Sequence, residues 1–195
     1  TLQKRHAVNL ANLLTTPGAR TRLHAQQEIL RRGGAGKEVL AVATDKRLSR
    51  KARVAAIFTL KQLLGTKSHK DLLKLIDDPA VAEHALRALA DRKTQLDGVP
   101  QAPFIQALKS DNPRVQVAAA VARAVSEFGR LDVMYNNAGA MVGRGSILEM
   151  EEAEVDRALG LLFKSVFFGV REAGRVMSGQ GGGRLIDTAR VAGPG

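Results

Sequence analysis

Apolar residues recur at helical spacing along the first 127 positions. Ala7, Leu10, Ala11 and Leu14 place one face on a helix over 2–14, closed by Thr15, Thr16, Pro17 and Gly18. Leu23, Ile29 and Leu30 repeat the pattern over 19–32, up to Gly33 and Gly34. Further helices are predicted over 37–44, 49–64, 69–76, 79–91, 103–108 and 113–127, separated by Gly, Pro, Asp or Asn. In the last of them Asn112 offers an N-cap, Pro113 suits a first helical position, and Val115, Ala118, Val121, Ala122 and Val125 share a face. After Gly129 the period changes. Residues 131–135 read as a short buried strand, a helix of roughly 28 residues opens near Glu151, and 183–187 read as a second parallel strand. Leu159, Leu162, Phe163, Val166, Phe167 and Val170 form a broad stripe expected to pack on the sheet.

The predicted helices of the first part are periodic. Asp78-Pro79-Ala80-Val81 lines up with Asn112-Pro113-Arg114-Val115 at an offset of 34, and Ala25 and Ala56 fall at nearly that spacing. A period of this length built of helix pairs implies a solenoid. The D-x-x-V-x-x-x-A-x-x-A-L pattern over 78–89, preceded by Leu72-Leu73-Lys74-Leu75-Ile76-Asp77, resembles a HEAT repeat, and the resemblance covers about 1–122. It implies scaffolding or a docking surface.

A second resemblance begins near Val117. Phe128-Gly129-Arg130-Leu131-Asp132-Val133-Met134-Tyr135-Asn136-Asn137-Ala138-Gly139-Ala140 resembles the N-N-A-G strand of short-chain dehydrogenases/reductases. Glu151-Glu152 with Asp156-Arg157, Lys164-Ser165-Val166-Phe167-Phe168-Gly169, and Gly183-Arg184-Leu185-Ile186-Asp187 follow in that family's order. The resemblance implies that Asn136, Ala138 and Gly139 border the adenosine of a nicotinamide cofactor. It also places the family's helix Asn at Leu162 and its catalytic Ser at Arg190, and neither residue can serve. The Gly-rich turn that binds a pyrophosphate finds no counterpart upstream. The chain reaches Gly195 before the position of the family's catalytic Tyr and Lys. Tyr135 is the only tyrosine.

Composition sharpens this division. The net charge of +11 is uneven, with 22 Lys+Arg against 10 Asp+Glu in residues 1–125 and 8 against 9 in residues 126–195. Cysteine is absent, which excludes disulfides, zinc–thiolate sites and a Cys nucleophile. No apolar run approaches a membrane span and no signal-peptide layout opens the chain, so a soluble, cytoplasmic protein is expected. Gly33-Gly34-Ala35-Gly36-Lys37 echoes a phosphate loop but follows a helix, and is read as a turn. His6, His24, His69 and His84 lack metal-ligand spacing. Glu149, Glu151, Glu152 and Glu154 suit a helix N-terminus.

The expectation is therefore a mainly α chain: a HEAT-like α-solenoid over 1–125 followed by a partial Rossmann-like β-α-β segment over 126–195. No catalytic function, cofactor or metal is expected of this recombined scaffold, and it is expected to self-associate through strand edges at 131–135 and 185–188. Two alternatives stand beside it. One is a basic helical module for nucleic acid or an acidic protein. The other is an NAD(P)-dependent oxidoreductase fragment completed by a partner chain.

Overall fold

The computed structural model describes residues 2–137, 139 and 147–188. Eight helices come first: α1 (Leu2–Leu13), α2 (Ala19–Arg32), α3 (Gly36–Thr44), α4 (Arg50–Leu64), α5 (His69–Lys74), α6 (Ala82–Ala90), α7 (Ala102–Ala107) and α8 (Pro113–Phe128). Then come β1 (Val133–Asn136), α9 (Glu152–Ala158), a π-helical turn (Leu159–Lys164), α10 (Ser165–Gln180) and β2 (Arg184–Asp187). The helices pack in sequential pairs, and α2, α4, α6 and α8 lie against one another in succession. Helix α10 continues that row by packing on α8, and the sheet lies against α10.

Local chemistry sets these boundaries. Ser49 Oγ accepts from the Ala52 N–H at 3.3 Å and Asn112 Oδ1 from the Arg114 N–H at 3.0 Å, so two helices begin on side-chain caps. Gly129, at φ 73°, ends α8 in the left-handed conformation with its N–H on Val125 O, a geometry that costs glycine no Cβ clash. The Gly33-Gly34 stretch joins α2 to α3, as the turn reading expected.

The core belongs to the helical part. Leu14, Ile29, Val39, Ile57, Leu60, Leu72, Leu86, Leu89 and Phe104 are fully buried. Small residues, among them Ala56, Ala85, Ala88 and Ala119, are buried between them and allow close helix approach. Arg53 is buried as well. Its Nε donates to Ala43 O at 2.9 Å and its Nη2 to Asp78 Oδ2 at 2.7 Å, so one guanidinium fastens the end of α3 to the turn before α6.

The HEAT-like α-solenoid expected over 1–125 needs correction, because the supposed repeats are not equivalent. Asn112 caps a helix that starts at Pro113 and runs 16 residues. Asp78 makes the same kind of bond, its Oδ1 accepting from the Ala80 N–H at 3.1 Å, but its Oδ2 is also held by Arg53, and 79–81 form a turn, so that α6 starts at Ala82 and runs only 9 residues. Helices α5 and α7 are single pieces of 6 residues, and 3₁₀ turns flank α5. A 34-residue offset in sequence thus gives helices of unequal start and length, 9 residues against 16.

Strands β1 and β2 are parallel, with Val133 opposite Arg184, Met134 opposite Leu185, Tyr135 opposite Ile186 and Asn136 opposite Asp187. Among the described residues this two-stranded sheet has no further strand, so each strand keeps one free edge. The stripe expected to cover it does not: Leu159, Leu162, Phe163 and Phe167 are exposed. The helix instead turns Gly169, Glu172, Ala173 and Met177 inward. The π-helical turn itself carries Leu159, Leu162 and Phe163 and precedes this buried face, and an extra residue in one turn rotates the side chains that follow.

Ion pairs tie α10 to the helical layer. Glu172 is buried and bonded to Arg87 of α6, with Arg171 Nε at 3.0 Å and Arg175 Nη1 at 3.1 Å. Glu83 collects Arg114 Nη2 at 2.7 Å, His84 Nε2 at 3.0 Å and Arg50 Nη2 at 3.5 Å. Burial works to raise the Glu83 pKa, but hydrogen bonds from His84 and Arg114 and the charge of Arg87 hold it well below the usual carboxylate range.

Lys61 is fully buried, with Nζ 2.8 Å from His69 Nε2. Burial lowers its pKa from 10.5 to about 8, opposed by Asp91 and reinforced by Arg92. Between those values the unfolded chain binds more protons than the folded one, so stability rises with pH across that window. Urea midpoints measured at pH 7.5 and pH 10 are expected to show this rise, and Lys61→Met is expected to remove it. An equal rise in the variant would refute the assignment.

Candidate functional site

In a parallel sheet every strand delivers its carboxyl end to the same side, where α/β proteins bind ligands. Here that side carries Asn136, Asn137 and Gly139 from β1 and Asp187 and Thr188 from β2. Asn136 Nδ2 donates to Asp187 Oδ1 at 2.7 Å, locking the two strand ends together. Tyr135 Oη receives Thr188 Oγ1 at 2.9 Å and donates to Asn137 Oδ1 at 3.2 Å on the opposite face.

The crossover helix reaches this end of the sheet through its least bulky position. A Cβ at Gly169 would stand 2.1 Å from Asn136 Oδ1 and 3.0 Å from Met134 Cε, so only glycine admits the Asn136 side chain here. A Cβ at Gly139 would stand 3.8 Å from Leu162 Cδ2, which places the N-N-A-G turn beside the π-helical turn. Of the sequence-predicted residues, Asn136, Gly139 and Leu162 therefore come together. Ala138 and Arg190 lie outside the described residues. Asn136 is spoken for by Asp187, while Gly139 is exposed.

Two groups of interest escaped sequence reasoning. Glu172 was the readable one: a lone acid between Gly169, Ala173 and Val176 on an otherwise apolar helical face. The Lys61–His69 pair carried no sequence signal, since both residues sit in ordinary polar surroundings along the chain.

A nicotinamide dinucleotide needs backbone N–H groups at a turn between a strand and a helix. The described glycines of positive φ are Gly33, Gly34, Gly65, Gly98, Gly129, Gly181 and Gly182, and none lies between a strand and the helix that follows it. The described residues thus offer no such turn for a pyrophosphate. Among them no group of three or more His, Asp or Glu is placed to hold a metal, and no helix is long and apolar enough to cross a membrane.

Comparison with known proteins identifies the lineage. The family model described as short chain dehydrogenase matches residues 53–194. Levodione reductase of Leifsonia aquatica is 29% identical over 104 residues, covering 53% of this chain and 39% of that protein. Tropinone reductase-like 2 of Erythroxylum coca is 40% identical over 70 residues, 34% of this chain and 26% of that protein. The 2-dehydro-3-deoxy-D-gluconate 5-dehydrogenase of Escherichia coli (strain K12) is 40% identical over 76 residues, 38% of this chain and 30% of that protein. The chain therefore spans well under half the length of each of these relatives. No solved structure matches it.

The chain belongs to the short chain dehydrogenase family. This overturns two expectations. The family match starts inside α4, far upstream of residue 117, so the stretch assigned to a HEAT-like solenoid is largely shared with the dehydrogenase match. The expectation of no catalytic function is likewise corrected, because the relatives are dehydrogenases and reductases. That expectation leaned on motifs missing from a chain that spans only part of its relatives.

Gly169→Ala is expected to cost about 1–3 kcal/mol by forcing Asn136 out of its place. Chemical denaturation measures the loss. A neutral effect would mean that Asn136 is not held against the helix.

Proposed function

We propose that the chain is part of a nicotinamide-dependent oxidoreductase acting on a carbonyl or alcohol. It contributes the N-N-A-G strand, the crossover helix and the following strand, and a partner chain completes the site. The observation that carries this reading is the meeting of Asn136 and Gly139 with the crossover helix at the carboxyl ends of two parallel strands. The printed activities of the relatives, reduction and dehydrogenation, agree with it.

Each part has a defined task in this reading. Asn136, bonded to Asp187, keeps the strand ends in register, and Gly139 offers backbone without a side chain to an adenosine. The pyrophosphate turn and the acid–base pair are not among the described residues. Leu162 stands where the family resemblance puts an Asn, so proton relay through that position is not part of this chain's contribution.

An adenosine contact alone binds weakly. NADH and AMP are therefore expected to raise the melting temperature of the purified chain to similar extents, with Kd of about 1 mM or weaker. Asn136→Leu is expected to abolish both shifts. Absence of any shift with either ligand would contradict the assignment of this border.

A further inference from the structure

We propose that Lys61 and His69 form an acid-sensitive latch, which holds α5 and the 3₁₀ turn Lys93–Gln95 on the end of α4 and opens when His69 gains a proton. The latch lies in the helical part and does not depend on the oxidoreductase reading.

Three segments meet at one ring. Lys61 comes from the last turn of α4, and its Nζ stands 2.8 Å from Nε2 of His69, the first residue of α5. His69 also shares a backbone hydrogen bond with Gln95. That turn packs on the start of the α4–α5 connection, since a Cβ at Gly65 would stand 3.3 Å from Gln95 Nε2. Lys61 is 0% and His69 6% exposed, so neither can turn to water while the segments stay closed.

This bonding leaves one arrangement of protons. Below about 8, the value that burial gives it, Lys61 is an ammonium and only donates. Nε2 of His69 therefore accepts, and the neutral ring keeps its single proton on Nδ1 for the Gln95 carbonyl. A second proton can go only on Nε2. Two charged donors would then face each other at 2.8 Å, out of water. Neighbouring charges do not compensate. Asp91 and Arg92, at the end of α6, act on Lys61 with opposite signs. Lys37 and Glu38 open α3 with opposite charges, and Lys67 and Lys70 are exposed. Glu28 of α2 is engaged by Arg31 and Arg32, and Asp71 of α5 by Lys74.

Opening relieves the clash. Helix α5 has 6 residues, too few to hold itself, and of these only His69 and Leu72 are buried, so the ring is one of two anchors. Burial, then the charge of Lys61, push the His69 pKa down from 6.5 against the bond to Gln95, so the open form takes up the proton first. The closed latch keeps its full stability above 6.5 and loses it as pH falls below, by up to about tenfold per pH unit for one proton.

Amide hydrogen exchange on the full chain from pH 7 to pH 5, corrected for intrinsic rates, tests this with the His69 ring signals followed in parallel. The opening constant of α5 is expected to rise by up to about tenfold per pH unit in step with protonation of His69. His69→Gln, which can accept from Lys61 and donate to Gln95 without titrating, is expected to keep α5 closed across the range, with circular dichroism confirming the fold. No rise in the wild-type chain, an equal rise in His69→Gln, or protonation of His69 while α5 stays closed would each overturn the proposal. The first and last of these need no variant.

Discussion

A buried carboxylate holds the two parts of this chain together. Glu172 lies on the inward face of α10 and meets Arg87 from α6, with Arg171 and Arg175 of its own helix closing around it. Taking such a group out of water costs several kcal/mol, and the cost is offset only when hydrogen-bond geometry saturates its oxygens. Here the saturating partner comes from across the junction. Losing Arg87 would leave the buried carboxylate with only Arg171 and Arg175 of its own helix and its Oε2 without a partner among the described residues, so Arg87 specifies the position of α10 on the helical layer.

That constraint explains why the crossover helix presents the face it does. Had its Leu and Phe stripe packed on two short strands, Glu172 would have faced away from Arg87. The π-helical turn over Leu159–Lys164 carries the exposed Leu159, Leu162 and Phe163 and precedes the buried Gly169, Glu172, Ala173 and Met177. Helix α10 contacts both the strands and α8. The same placement brings Gly139 next to Leu162.

Much of the secondary structure was legible from periodicity and caps. Asn112 and Gly129 bracket α8 through their own side-chain and backbone chemistry, and the two strands fall within two residues of their expected limits. The failures have a common cause. Asp78 accepts from the N–H two residues on as Asn112 does, but its second oxygen is also held by Arg53, a residue 25 positions earlier, and no local pattern reports that bond or the late start of α6 at Ala82. The apolar stripe from Leu159 to Val170 was expected to pack on the sheet but is mostly exposed, since it runs through a π-helical turn that is invisible to a 3.6-residue period. At the candidate site the family motif located Asn136 and Gly139. The Gly169 clearance that seats Asn136 emerges only once helix and strand are placed together.

Amide hydrogen exchange on the intact chain and on Glu172→Gln tests the role given to this carboxylate most directly. Removing one partner of a buried ion pair costs about 3–5 kcal/mol, or roughly 10²–10⁴-fold in local opening. The variant is expected to lose that protection in α10, β1 and β2 while α4 keeps its own. Unchanged exchange in α10, or an equal loss throughout α4, would contradict the claim that Glu172 anchors the β-α-β unit to the helical layer.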